Sequence, residues 1–205
     1  MKIEKIEKSK HKQERILVYL EGGDLLRITG HELLQFGLYP GMDLSDALVV
    51  QLNESAAHSQ TRARGAQLAS SRMLSKKELA DRLVRKGVAQ EEAAETADWL
   101  EDLGAVNDAA YAGVVVRHYA AMGYGAGRVR QELFRRGVPR ELWDATMEQL
   151  PPPEEAVERF IRIKLKGITL DRVTAKKLSD ALLRRGFSWN DIRPVLNKMG
   201  EDIEE

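Results

Sequence analysis

The chain has 205 residues, of which 31% are charged and 6% aromatic, and its 32 basic and 32 acidic side chains give a net charge of zero. This length suits one ordinary domain or a few small units, and the composition favours a helical protein over a β-sandwich. The absence of cysteine excludes disulfides, thiolate zinc sites and thiol catalysis; with no signal peptide and no run of roughly 20 apolar residues, we expect a soluble, cytoplasmic protein.

The first 50 residues differ from the rest. In "RILVYLEGGDLLRIT", two short runs rich in Ile, Leu, Val, Tyr and Thr flank Gly22 and Gly23, which is typical of a β-hairpin. The following "HELLQFGLYPGMDLS" predicts a short helix that stops at Gly37 and then a turn at Pro40-Gly41. We therefore predict an N-terminal extension with a β-hairpin over residues 1–54.

From about residue 55 the pattern is helical, and one phrase recurs as "LVRKGV", "LFRRGV" and "LLRRGF". Its glycines, Gly87, Gly137 and Gly186, are 50 and 49 residues apart and each ends a predicted helix. Apolar residues stand eight, four and three positions before each glycine, and we predict that they form one buried stripe. They are Leu79, Leu83 and Val84; Val129, Leu133 and Phe134; and Leu178, Leu182 and Leu183.

A second amphipathic helix follows each glycine, and a further helix precedes each phrase. Tyr111 and Phe160 both lie 26 residues before the glycine of their repeat. The sequence thus predicts a mainly α fold of three tandem three-helix repeats in an elongated stack. The predicted units are residues 55–104, 105–150 and 151–199, followed by an acidic tail over 200–205.

Basic residues directly precede each glycine: Arg85 and Lys86, Arg135 and Arg136, Arg184 and Arg185. One interpretation is purely structural, because cations stabilise a helix C-terminus by a few tenths to about 1 kcal/mol each. The alternative is a basic ladder that meets an acidic protein surface or DNA phosphates. Local charge leaves room for such a role, since residues 151–199 carry 11 basic and 6 acidic side chains.

Other motifs argue against catalysis. "GYGAGR" has Arg128 where a dinucleotide-binding loop needs its third glycine, and a helix rather than a strand precedes it. The four histidines, His11, His31, His58 and His118, have no metal-site spacing. No nucleophile elbow, Walker loop or paired-acid signature is present, so we predict no enzyme activity, no cofactor and no metal.

Three segments resemble the repeats of the RecX family: "SKKELADRLVRKGV", "NDAAYAGVVVRHYAAMGYGAGRVRQELFRRGV" and "LLRRGFSWNDIRPVL". The resemblance extends from about residue 72 to 199, and "GYGAGRVRQEL" is its most specific part, although the family usually has proline where this chain has Ala126. It implies a non-enzymatic, all-helical regulator of the RecA recombinase. Such proteins lie in the groove of the RecA–DNA filament, contact several protomers, and inhibit ATP hydrolysis and strand exchange.

The resemblance implies a monomeric negative regulator, with a place in DNA repair, recombination and the SOS response. We expect electrostatic contact with the RecA filament, and weak direct contact with DNA, from ten cations: Arg85, Lys86, Arg128, Arg130, Arg135, Arg136, Lys176, Lys177, Arg184 and Arg185. The alternative is a stand-alone DNA-binding protein of helical repeats. It predicts tight binding to bare DNA with a steep salt dependence.

Overall fold

The structure is a computed structural model that describes residues 1–11, 14–166 and 170–204, the last four of these by their backbone alone. The chain divides into two compact units, residues 1–71 with 80–100 and residues 72–79 with 101–205. The side chains of the predicted acidic tail from Glu201 onward lie outside the described residues, and the predicted division into repeats stays a prediction.

The first unit begins with an antiparallel sheet of three strands in the order β1–β2–β3. The strands are β1 (Ile3–Lys8), β2 (Arg15–Leu20) and β3 (Leu25–Thr29). The predicted hairpin is β2 paired with β3. Strand β1 was not predicted, because a register shift between Ile3 and Lys5 breaks the alternation by which a strand is recognised.

One face of the sheet is apolar because alternate residues of β2, Ile16, Val18 and Leu20, are buried. This face packs on Leu52 and Ala56 of a long helix. The short helix α1 (Gly30–Gln35) is present as predicted and is capped by Thr29. These contacts give the N-terminal sheet an apolar core shared with the helix that follows it.

The first unit also contains the helix α2 (Asp46–Ser71) and α4 (Gln90–Asp102), with part of α3 (Lys76–Arg85). Helix α2 begins earlier than predicted and runs through residue 54, where the sequence suggested a boundary. Gly65 of α2 lies where a Cβ would be 2.9 Å from Thr96 Cγ2 and 3.0 Å from Leu100 Cδ1. The glycine therefore permits close packing of α2 on α4.

The second unit contains two further sets of three helices. The first set is α5 (Asp108–Ala121), α6 (Ala126–Arg135) and α7 (Trp143–Met147), the last preceded by a 3₁₀ turn at Arg140–Leu142. The second set is α8 (Pro153–Leu165), α9 (Arg172–Arg184) and α10 (Trp189–Glu204).

Each set in the second unit has its own apolar core. The prediction of a mainly helical fold with a small β-containing N-terminal part is confirmed. Among the described residues, no helix is long and apolar enough to span a bilayer.

Candidate partner-binding surface

The recurring glycine phrase forms the same helix-ending turn three times. Gly87, Gly137 and Gly186 have φ values of 89°, 71° and 89°, in the left-handed region that glycine adopts without strain. At the first turn, Gly87 N–H donates to the Val84 carbonyl at 2.9 Å and Val88 N–H donates to the Leu83 carbonyl at 3.1 Å. The other two turns have the same pair of bonds. This is a Schellman motif, in which glycine usually takes the left-handed position and an apolar contact across the turn frequently accompanies the hydrogen bonds.

The stripe predicted from the sequence is only partly buried. Leu83, Leu133 and Leu182, four positions before the glycines, are fully buried. The residues three positions before the glycines are exposed, so their prediction as core residues was wrong: Val84 at 41%, Phe134 at 67% and Leu183 at 46%. The reason is geometric, because consecutive helical residues point about 100° apart, and the buried face is too narrow for both.

The first cation of each pair is also exposed. Arg85 donates from Nε to the Asp81 carbonyl at 3.2 Å within its own helix. Arg135, with 66% of its side chain exposed, contacts Glu132 Oε2 at 2.7 Å. Arg184 ends α9 on the surface. All three remain accessible to a partner.

The second cation of the middle pair has a structural role. Arg136 has only 25% of its side chain exposed, and its Nη1 donates to Glu78 Oε1 at 3.3 Å and to the Tyr111 hydroxyl. That hydroxyl in turn donates to Glu78 Oε2 at 2.8 Å. Burial alone would lower the pKa of Arg136, but the contacts with Tyr111 and Glu78 raise it above its ordinary value. The side chain is therefore a charged cross-link inside the second unit.

Arg185 has an equivalent role in the last pair. Its Nη1 donates to the carbonyls of Met122 at 3.3 Å and Gly123 at 3.2 Å, just past the end of α5. Its guanidinium also lies 5.2 Å from the ring centroid of Tyr124 and 5.0 Å from that of Phe160. Cation–π contacts range from about 0.5 kcal/mol at exposed sites to about 2 kcal/mol where the cation is desolvated.

The turns also join helices through the backbone. The Arg136 carbonyl accepts a hydrogen bond from the hydroxyl of Ser75, the residue before α3. At the next turn, Gly125 N–H donates to the Arg185 carbonyl at 3.0 Å, and Gly127 N–H donates to the Gly186 carbonyl at 2.8 Å. Ser75 and Gly125 both stand 12 residues before the glycine of their repeat, so the two joints use equivalent positions.

These joints explain the glycines of "GYGAGR". A Cβ at Gly125 would lie 2.5 Å from both Gly186 O and Phe187 N, and a Cβ at Gly127 would lie 3.0 Å from Gly186 O. The glycines are thus needed for the close approach of two backbone segments. A nucleotide is not required to account for them.

Glu132 is a buried carboxylate that the sequence analysis did not single out. Its Oε1 lies 3.0 Å from Arg128 Nη2, its Oε2 lies 2.7 Å from Arg135 Nη2, and its side chain is 3% exposed. Burial would raise the pKa of Glu132, but hydrogen bonds from Arg135 and Tyr119 and the charges of Arg135 and Arg128 lower it below its ordinary value. The spacing of Arg128, Glu132 and Arg135 on one helix was the signal for this cluster.

Lys176 and Lys177 are exposed on α9. Lys176 lines a groove of about 940 Å³ between α9 and α10, whose apolar lining includes Leu183, Trp189 and Leu196. Trp189, which begins α10 just after the third turn, is 49% exposed. In the part of the chain whose side chains are described, no cluster of three or more His, Asp or Glu residues could hold a metal ion.

Comparisons with known proteins identify the family. A family model described as "RecX, second three-helix domain" matches residues 107–147, the region of α5 to α7. The chain is 34% identical over 122 residues to the regulatory protein RecX of Xanthomonas axonopodis pv. citri, covering 58% of this chain and 75% of that protein. The chain belongs to the RecX family. It is also 26% identical over 188 residues to the regulatory protein RecX of Caldanaerobacter subterraneus, covering 92% of this chain and 95% of that one.

A solved structure supports the fold of this RecX chain. The crystal structure of a regulatory protein RecX aligns with a TM-score of 0.81, covers 96% of this chain and 98% of the other, and shares 23% of residues. At this identity the likeness concerns the fold.

The ten predicted cations fall into two groups in this RecX chain. Three are held mainly by contacts within the second unit: Arg128, Arg136 and Arg185. Seven are exposed: Arg85, Lys86, Arg130, Arg135, Lys176, Lys177 and Arg184. Their contact with a partner stays a prediction, and the exposed group is the one in a position to make it.

Proposed function

We propose that this RecX-family chain is a negative regulator of the RecA recombinase. It docks along the recombinase–DNA filament, and in doing so inhibits ATP hydrolysis and strand exchange. It acts as a monomer in the cytoplasm and has a place in DNA repair, recombination and the SOS response. It acts by binding, without catalysis of its own.

The observation that carries the proposal is an exposed arginine at the same position of three repeats. Arg85, Arg135 and Arg184 each stand two residues before a turn glycine and are exposed. Arg135 also pairs with Glu132 on its own helix, yet 66% of its side chain stays exposed. Cations that recur at the same place in successive repeats of the sequence suit a partner that is itself periodic and carries acidic groups, as a protein filament does. Contact of this kind steers association and sets orientation.

The test is a charge reversal of all three arginines to glutamate. If each reversal costs at least about 1 kcal/mol of binding free energy, the variant binds filaments about 100-fold more weakly. We expect the DNA-dependent ATPase of RecA to be inhibited only at correspondingly higher concentration, while the helical circular dichroism signal is unchanged.

A matched control reverses three exposed cations outside the predicted set: Arg27, Arg159 and Lys198. It changes the net charge by the same amount and should inhibit like the wild type. Equal inhibition by the two variants and the wild type would contradict the proposed site.

The alternative, a stand-alone DNA-binding protein, is tested by measuring binding to bare single-stranded DNA at the same salt concentration. Under the proposal, inhibition occurs well below the concentration that coats DNA. Inhibition that follows DNA coating, with a steep salt dependence, would instead support a stand-alone DNA-binding protein.

A further inference from the structure

Each helix-ending turn exposes an apolar side chain next to a cation. The pairs are Val84 with Arg85, Phe134 with Arg135, and Leu183 with Arg184. The Schellman motif does not explain them, since its apolar contact joins the residues four before and one after the glycine, which are buried. Three positions lie between the first of these residues and the glycine, and the first of the three is apolar in every repeat although the motif does not require it.

A single exposed apolar residue on a protein surface needs no explanation. Recurrence is different, because three equivalent positions carry Val, Phe and Leu, and each is followed by arginine. Phe134 is the largest of these and the most exposed, at 67%. At the third turn the apolar surface continues into the groove lined by Trp189 and Leu196.

We propose that these three apolar–cation pairs anchor the chain on protomers of the recombinase filament. Each apolar side chain enters an apolar pocket on a protomer, and the neighbouring arginine meets a carboxylate at the rim of that pocket. The inference rests on the proposed function and names the residues that contribute most of the affinity for the filament. Binding hot spots are enriched in arginine and in large aromatic residues, so Phe134 with Arg135 is the pair expected to contribute most.

The chemistry of the three exposed apolar side chains indicates that they contact protein rather than nucleic acid. Contacts to unpaired bases use aromatic rings or arginine planes that stack on the base faces. Val84 and Leu183 have no flat face to offer, although they occupy the position that Phe134 has in the middle repeat. Aliphatic side chains at two of three equivalent positions therefore fit apolar pockets on a protein.

The experiment measures binding to RecA filaments assembled on single-stranded DNA with a non-hydrolysable ATP analogue. Phe134→Ala should weaken binding about tenfold or more, whereas Phe134→Leu should retain most of it. Val84→Ala and Leu183→Ala should each cost about threefold to tenfold. The matched control is Ile163→Ala, because Ile163 is 56% exposed on α8 but lies outside the three pairs.

The salt dependence of binding distinguishes the apolar contribution of each pair from its electrostatic contribution. The loss from Phe134→Ala should persist as salt is raised, since burial of apolar surface is not screened. The loss from Arg135→Gln should shrink, since the exposed charge is screened. A loss from Phe134→Ala that vanishes at raised salt would overturn the inference.

The outcomes also separate the inference from the proposed function. A wild-type chain that does not bind the filaments overturns both. Wild-type binding that Phe134→Ala leaves intact overturns the inference alone. If Phe134→Leu binds as poorly as Phe134→Ala, the aromatic ring itself is needed, which indicates stacking on a DNA base. That result would overturn the inference that Phe134 enters an apolar pocket on the recombinase.

Discussion

Arg184 and Arg185 are adjacent in the sequence, but we expect their substitution by alanine to affect different properties of the protein. Arg184 is exposed at the end of α9. Arg185 bonds two carbonyls beyond α5 and lies against two aromatic rings. Arg185→Ala should therefore lower the free energy of unfolding, and Arg184→Ala should lower affinity for the partner.

The magnitude follows from the contacts of Arg185. Its two hydrogen bonds, at 3.3 and 3.2 Å, are longer than the ordinary 2.9–3.0 Å, so together they contribute near the lower end of the roughly 1.5–3 kcal/mol of a charge-assisted bond. The contacts with Tyr124 and Phe160 add about 0.5 kcal/mol or more. We expect a loss of about 2 kcal/mol, or about 4–8 °C in melting temperature for a chain of this size.

Thermal and urea unfolding, followed by far-UV circular dichroism, measure this difference. Arg184→Ala is the matched control and should change the free energy of unfolding by no more than about 0.5 kcal/mol. Arg185→Lys should recover only part of the loss, because an ammonium lacks the planar face that stacks on rings. Equal stability of the two alanine variants would refute the structural role assigned to Arg185.

Three further predictions concern stability. Gly125→Ala should cost about 2 kcal/mol in urea unfolding, because its Cβ would overlap backbone atoms of the last turn, whereas Gly30→Ala, with open space, should be neutral or slightly stabilising. The pKa of Glu132 is lowered in the fold, so its ionised form stabilises the protein at neutral pH and this contribution disappears as acid protonates it; Glu132→Gln should show a smaller acid-induced loss of stability below about pH 4. Glu32→Gln should cost about 2–3 kcal/mol in thermal unfolding, since a fully buried carboxylate that accepts bonds from Thr29 and Ser59 is replaced by an amide.

The parts of the fold that could be predicted are those fixed by local chemistry. Gly87, Gly137 and Gly186 end helices because a left-handed residue and two flanking apolar side chains define the turn within six residues. The hairpin was predictable because two short runs rich in Ile, Leu, Val, Tyr and Thr flank Gly22 and Gly23, and these runs pair as β2 and β3. Strand β1 was not predicted, because its irregular pairing depends on the partner strand rather than on an alternating pattern in its own sequence.

The candidate site was predictable only in outline. The sequence alone identified the six cations that precede the turn glycines, but it could not show that Arg135 is exposed whereas Arg136 has a structural role. That distinction depends on Glu78 and Tyr111, which are 58 and 25 residues away along the chain. A usable signal was present, because an aromatic residue stands 26 positions before the glycine in the two repeats whose second cation is arginine.

The first repeat shows why the second cation differs among the turns. In the later repeats that cation packs on the aromatic ring 26 positions before the glycine, Tyr111 or Phe160, and its carbonyl bonds to the start of an earlier helix. In the first repeat the position 26 before the glycine is Thr61, and a Cβ on Gly87 would meet no described atom within 4 Å. Without a ring and a joint, Lys86 is exposed beside Arg85. The number of cations that a turn presents to a partner therefore depends on whether an earlier helical repeat precedes it in the chain.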